Sequence, residues 1–122
     1  MTTSQPTLAL IGAGYWGKNL ARNFNALGVL HTLCDISETT LASYGTEYES
    51  VRKTTNFDLP FKDPAIKQIA IAAPATLHFQ LAKAAMLSGR DVYVEKPLCL
   101  EASEGQELLE LAGKTGQVLM VG

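Results

Sequence analysis

The run Leu8-Ala9-Leu10-Ile11 breaks directly into Gly12-Ala13-Gly14-Tyr15-Trp16-Gly17, an apolar strand followed by a Gly-x-Gly-x-x-Gly turn. Strand, glycine turn, then helix is the order a chain needs to bring its backbone against a pyrophosphate. Gly12 allows the tight turn, Gly14 leaves room for the phosphates, and Gly17 lets the helix pack closely on the strand. The free N–H groups and the positive dipole end of that helix then face the anion. Glycine triplets also occur in ordinary loops, so the rest of the chain must supply the weight.

Short apolar runs alternate with helical periods along the chain, which argues for βαβ units and a parallel sheet. Thr7 to Ile11 reads as the first strand, apolar throughout as a strand covered on both faces should be. Tyr15 to Leu27 reads as a helix with Trp16, Leu20, Phe24 and Leu27 on one buried stripe, closed by Gly28. Val29 to Cys34 is the second strand, Ser37 caps a short helix towards Tyr44, and Val51 to Thr54 is a brief edge strand. Gln68 to Ala73 is a buried strand ended by Pro74. Leu77, Leu81, Ala84, Ala85 and Ser88 share one face of a helix that Gly89 ends. Asp91 to Val94 is the next strand. Ser103-x-x-Gln106 resembles a capping box for a helix through Leu108, Leu109, Leu111 and Ala112, and Val118 to Val121 is a last strand. The rules for parallel crossovers give the strand order 3-2-1-4-5-6, a doubly wound α/β fold of the Rossmann type. Ligands bind such sheets at the carboxyl ends of the strands. There the glycine turn, Asp35, the Pro74 loop and Glu95-Lys96-Pro97 converge on one crevice.

At 122 residues and 47% apolar composition, residues 1–122 form one globular domain that buries roughly two-thirds of its unfolded surface. A net charge of −2 with no basic run points away from nucleic acid and from anionic membranes. No apolar stretch approaches the ~18 residues a membrane helix requires. The N-terminus, Met1 to Pro6, lacks the basic start of a secretory signal. Cys34 and Cys99 are too few for a disulfide framework and read as reduced, buried thiols of a cytoplasmic protein. The two histidines, His31 and His78, are too few and too scattered for a metal site.

Asp35 ends the second strand, near the ~20-residue spacing expected for a ribose-binding acid. A carboxylate there accepts hydrogen bonds from the adenosine ribose hydroxyls and repels a 2′-phosphate, which favours NAD over NADP. Ile36 and Ser37, next in line, include no arginine to hold such a phosphate. The competing reading is a solvated turn acid that caps the next helix.

With the glycine turn, Ala72-Ala73-Pro74-x-x-x-His78 and Val92-Tyr93-Val94-Glu95-Lys96-Pro97-Leu98 in this order, the chain resembles the Gfo/Idh/MocA oxidoreductases. The resemblance runs from Leu8 to Gly122. It implies a nicotinamide-dependent dehydrogenase or reductase acting on a sugar, polyol or nucleotide-linked sugar. In that family the lysine matching Lys96 lies beside the nicotinamide and the reacting hydroxyl, and the residues matching Glu95 and Pro97 shape its turn. Oxidising a secondary alcohol requires hydride transfer while a nearby group handles the hydroxyl proton, a task suited to a lysine whose charged form is disfavoured. The competing reading of Lys96 is an exposed lysine paired with Glu95.

The expected cofactor contacts are thus Gly12, Gly14, Tyr15, Trp16, Gly17, Asp35, Pro74, His78, Glu95, Lys96 and Pro97, with Lys96 catalytic. Within that set Trp16 fits the buried stripe and Tyr15 points into the crevice. His78 lies in a first helical turn, where packing or capping competes with a contact. Ala73 and Ala75 depart from the family, which commonly has threonine and a polar residue there. Family members continue into an α+β domain that binds substrate, supports oligomers and supplies a histidine often paired with the lysine. That domain is absent from this sequence. The expectation is therefore a cofactor half, inactive on its own, whose uncovered apolar surface favours a dimer. Two other readings stand beside it: a non-catalytic module that binds NAD or a partner chain, and a domain with a vestigial site. A methyltransferase using S-adenosylmethionine fits less well, since that class usually carries an acid before its glycines and no Glu-Lys-Pro.

Overall fold

Neighbouring residues of the first strand, β1 (Leu8–Ile11), serve two different cores. Leu8 and Leu10 join one buried cluster, and Ala9 and Ile11 join another. That alternation follows from the strand period of two and shows a sheet covered on both faces. The structure, a computed structural model, describes residues 5–122. Met1 to Ser4, part of the N-terminus read above for a signal, lie outside the described residues.

Five further strands complete the sheet: β2 (Leu30–Cys34), β3 (Arg52–Thr54), β4 (Gln68–Ile71), β5 (Asp91–Val94) and β6 (Leu119–Val121). All pairs are parallel and the order is β3-β2-β1-β4-β5-β6, as the crossover rules require. The helices are α1 (Tyr15–Ala26), the single-turn α2 (Glu38–Ala42), α3 (His78–Leu87) and α4 (Ala102–Thr115). Ala21 of α1 and Leu41 of α2 lie in the cluster with Leu10, Leu30 and Leu33, and Tyr44 and Tyr48 complete it. Leu81, Ala82, Ala85 and Met86 of α3 and Leu108 of α4 lie in the cluster on the opposite face, with Ile69, Ile71 and Val94.

Several boundaries and faces differ from the sequence reading. β4 stops at Ile71, two residues early, because the chain leaves the sheet at Ala72 to pass beside the glycine turn. The buried face of α1 centres on Gly17 and Ala21, so Leu20 and Phe24 are half-buried and Leu27 is exposed. At 3.6 residues per turn, Trp16 and Leu27 sit roughly 100° and 80° from Gly17 around the helix, on its flank. Trp16 is therefore not a core residue; it is 66% exposed. Helix α3 buries His78, Ala82 and Met86 along with Leu81 and Ala85, a face turned slightly from the one expected. Ser103 does not cap α4. The helix begins one residue before it, with Glu101 at the cap and no side-chain cap bond. Leu108 of that helix is fully buried, but Leu109 points to solvent. Ser37 does cap α2, its hydroxyl accepting from the Thr40 N–H at 3.1 Å. Both thiols are free, Cys34 buried and Cys99 only partly so.

At the amino ends of the strands, Arg90 ties a long loop to the start of β5. Its guanidinium donates to the carbonyl oxygens of Phe61, Asp63, Ile66 and Ser88 at 2.7–3.1 Å. Removing a charged donor strands several partly buried acceptors at once. Arg90→Met is expected to lower stability by about 2–4 kcal/mol, read as a lower urea midpoint at unchanged m-value. A midpoint within error of the unmutated chain would contradict this account.

Candidate functional site

The carboxyl ends of the strands surround one cavity of about 720 Å³. Gly12 and Gly14 line it from the turn after β1, Asp35 from the end of β2, Pro74 from the turn after β4, and Glu95 and Lys96 from the turn after β5. Tyr15, Trp16 and His78 also reach its wall. Gly17 and Pro97, expected at the same site, do not line it: Gly17 acts from behind by packing, and Pro97 contributes a carbonyl to His78.

The three glycines separate cleanly by cause. Gly12 has φ +99°, and a Cβ there would stand 2.5 Å from the Ala72 carbonyl carbon and the Ala73 nitrogen. A Cβ on Gly17 would overlap the Gly12 carbonyl oxygen. Backbone packing therefore demands glycine at both positions. Gly14 is different. Its φ of −78° is negative, unlike that of Gly12, and a Cβ there would meet nothing within 4 Å. Packing makes no demand for glycine at 14, and the residue borders the cavity. The first-turn amides of α1 have no intrahelical acceptor, and no acidic side chain occupies that turn. An anion brought against Gly14 would meet those amides, so the residues present fit a pyrophosphate.

Asp35 holds the turn as well as facing the cavity. Its Oδ2 accepts from the Ala13 N–H at 2.8 Å and its Oδ1 from the Ser37 N–H at 2.9 Å. A carboxylate offers about four acceptor positions, which leaves capacity for sugar hydroxyls. The helix-capping role falls to Ser37 rather than to Asp35. From the other side, the buried Tyr44 hydroxyl donates to the Ala13 carbonyl oxygen at 2.7 Å. Burial, then Tyr48 and Asp35, pushes that phenol up to about 12, so it remains a donor across the neutral range. Tyr44 is a turn-holding residue that sequence reasoning missed. It lies 31 residues from its partner, and no local pattern marks it. Burial, with Asp35 adding to it, also pushes the Cys34 thiol up to about 12, leaving it protonated and inert.

Tyr15 and Trp16 form an edge-to-face pair with ring centroids 5.1 Å apart, both exposed at the cavity mouth. Lys96 is exposed at the rim, and its amine has no ion-pair partner among the described residues. The expected alternative, pairing with Glu95, is not what the structure shows. Glu95 instead accepts from the Tyr93 hydroxyl at 3.2 Å. The Lys96-Pro97 peptide is cis, and the Lys96 N–H donates to the Gly122 carbonyl at 2.8 Å. His78 is buried, with both ring nitrogens against main-chain carbonyls. Although it borders the cavity, it has no free polar atom for a direct cofactor contact. Among the described residues no group of three or more metal-ligating side chains occurs, and no helix is long and apolar enough to cross a membrane.

The different causes of the glycines can be separated by stability alone. Gly17→Ala is expected to cost about 2–4 kcal/mol, as overpacking against a backbone atom does. Gly14→Ala should cost under about 1 kcal/mol, the loss attached to a poorer N-cap. Thermal melts of the two variants that moved by the same amount would sink the distinction.

The chain is similar to known proteins in sequence and in fold. The uncharacterized oxidoreductase YdgJ of Escherichia coli K12 is 34% identical over 114 residues, 93% of this chain and 33% of that protein. The scyllo-inositol 2-dehydrogenase (NADP(+)) IolW of Bacillus subtilis 168 is 36% identical over 59 residues, 48% of this chain and 16% of that protein. The solved structure of GenD2 from gentamicin A biosynthesis, in complex with NAD, matches with a TM-score of 0.90 at 29% identity. It covers 98% of this chain and 35% of GenD2. The chain thus spans about a third of the length of YdgJ and of GenD2. Residues 7–122 match the family model of the GFO_IDH_MocA oxidoreductases, NAD-binding Rossmann fold, and the chain belongs to that family.

Proposed function

We propose that this chain is the cofactor-holding part of an enzyme moving a hydride between nicotinamide and a hydroxyl-bearing carbon of a sugar, polyol or nucleotide-linked sugar. The observation that carries the reading is Gly14, a glycine facing open cavity space where no packing contact requires it. In this reading the Gly14 backbone and first-turn amides of α1 hold the pyrophosphate, and Asp35 accepts from the adenosine ribose. When bound, the nicotinamide takes up or gives back the hydride. Lys96 stands at the nicotinamide end and exchanges the hydroxyl proton through its amine. Glu95, held by Tyr93, shapes the turn rather than reacting. Pro74 borders the cofactor from the turn after β4. IolW, a polyol dehydrogenase by name, supports the substrate class. The free thiols fit a reducing, cytoplasmic setting.

The choice of NAD over NADP rests on the Asp35 carboxylate and on Ile36, which offers no cation to a 2′-phosphate. Titration calorimetry of the purified chain is expected to give at least about 10-fold tighter binding of NAD, in line with one like-charge repulsion. Asp35→Ala should narrow that ratio, and Gly14→Ala should weaken both cofactors about 10-fold or more. Equal affinities in the unmutated chain would remove Asp35 from its assigned role. No binding of either dinucleotide would remove the proposal.

Substrate handling is assigned to the sequence that the longer relatives carry beyond this match. The purified chain is therefore expected to bind NAD without converting scyllo-inositol or a sugar panel. Substrate-dependent absorbance of NADH above a no-protein control would contradict that division.

A further inference from the structure

His78 opens α3 and is 2% exposed, yet it touches two different turns. Its Nδ1 lies 2.6 Å from the Pro97 carbonyl oxygen and its Nε2 lies 2.8 Å from the Ala73 carbonyl oxygen. A carbonyl oxygen only accepts, and a neutral imidazole carries one N–H. Either neutral tautomer would set a bare nitrogen lone pair against an oxygen lone pair, on a ring that is itself buried. Such an unmet buried contact is costly. Rotating the ring by a half-turn would replace both short contacts with C–H groups. Only the doubly protonated ring satisfies both oxygens, and the distances match charge-assisted bonds.

We infer that His78 is held as an imidazolium and is the positioning residue that ties the Ala73-Pro74 turn to the Glu95-Lys96-Pro97 turn, thereby setting where Lys96 stands. The two acceptors belong to turns that follow β4 and β5, neighbouring strands whose ends form one wall of the cavity. With both bonds made, the gap between those turns is fixed by one rigid ring. Loss of the second proton would free one turn from the other. The turn after β4 offers no ionisable side chain beside the ring, and the turn after β5 offers Glu95 and Lys96. The rest of the cavity wall offers Tyr15 and Asp35, and on α3 itself Lys83 is paired with Glu107 of α4. Among the described residues no carboxylate is hydrogen-bonded to the ring, so its charge is met by the two carbonyl dipoles.

The protonation state does not depend on the cofactor assignment, whereas its effect on Lys96 as a catalytic group rests on the proposed function. The test therefore begins without cofactor. Long-range ¹H–¹⁵N correlation on the ¹⁵N-histidine-labelled chain at neutral pH is expected to show both His78 ring nitrogens protonated, with His31 as internal comparison. A single neutral tautomer would overturn the inference. As pH rises, the backbone amide signals of Glu95 and Lys96 should move in step with the His78 ring, which requires no variant to fold. Amide signals that ignore the ring would overturn the positioning role. In His78→Gln, which keeps a donor and has no titrating ring, those amides should lose that pH course. NAD affinity of the unmutated chain should weaken about fivefold as the ring loses its proton, the loss of one hydrogen bond, and the variant should be flat. Identical affinity profiles in the two would likewise count against positioning. If NAD binds neither, the ring and amide signals still decide the inference while the proposed function alone fails.

Discussion

The approach of the Gly12 backbone to the Ala72–Ala73 peptide sets the geometry on which the rest of the site depends. No side chain fits between these two turns, so β1 and β4 can diverge at their ends only as far as bare backbone allows. From that point the chain leaves in opposite directions. Helix α1 packs into the cluster on one face of the sheet, and α3 packs into the cluster on the other. The crevice opens because consecutive crossovers choose opposite faces, the topological switch of a doubly wound sheet. Gly17 then seats α1 on the same Gly12 carbonyl, so strand, turn and helix share one contact. A methyl group at either glycine would move all three.

Once that contact is made, the turn is held by its own peptide groups. The Ala13 N–H is taken by Asp35 and the Ala13 carbonyl by Tyr44, one bond from each side. Both partners arrive from the segment after β2, which couples the order of the turn to the edge of the sheet. Asp35 therefore serves two ends at once. Loss of its carboxylate unpins the turn as well as removing a ribose acceptor, so a fall in affinity alone cannot be assigned to either. The ratio between two cofactors measured on one variant cancels the common loss of order, and for that reason it is the sharper reading of the carboxylate's contact.

Much of this was legible in the sequence, because it depends on local pattern. The alternation of short apolar runs and helical periods, with Gly28 and Gly89 closing helices at positive φ, suffices for the strand order. Ser37 announced α2 for the same reason: a cap is a property of four consecutive residues. The errors fall where tertiary packing decides. Trp16 sits at core spacing with Leu20 and Phe24, but the small residues Gly17 and Ala21 draw α1 onto the sheet and turn that stripe to the side. Ser103 has the right partner for a capping box, yet α4 starts ahead of it. Leu108 and Leu109 are alike in kind, and only the direction of approach to the sheet buries one and exposes the other. Tyr44 and the two-carbonyl seat of His78 rest on contacts between distant segments, which no window along the chain displays.

The two ends of the sheet spend their polar groups in opposite ways. At the amino ends Arg90 is saturated by four carbonyls, and Arg52 pairs with Asp63 while also reaching Thr32. At the carboxyl ends the first-turn amides of α1 lack an intrahelical acceptor, Lys96 has no ion-pair partner among the described residues, and two aromatic rings stand in the open. Each of these is a stabilising interaction not made. A chain selected for stability alone would have filled them, with an acid at the start of α1 or a carboxylate against Lys96. Around this cavity they stand together, beside a glycine that no packing contact requires, where a ligand with an anionic centre and an aromatic ring would meet them.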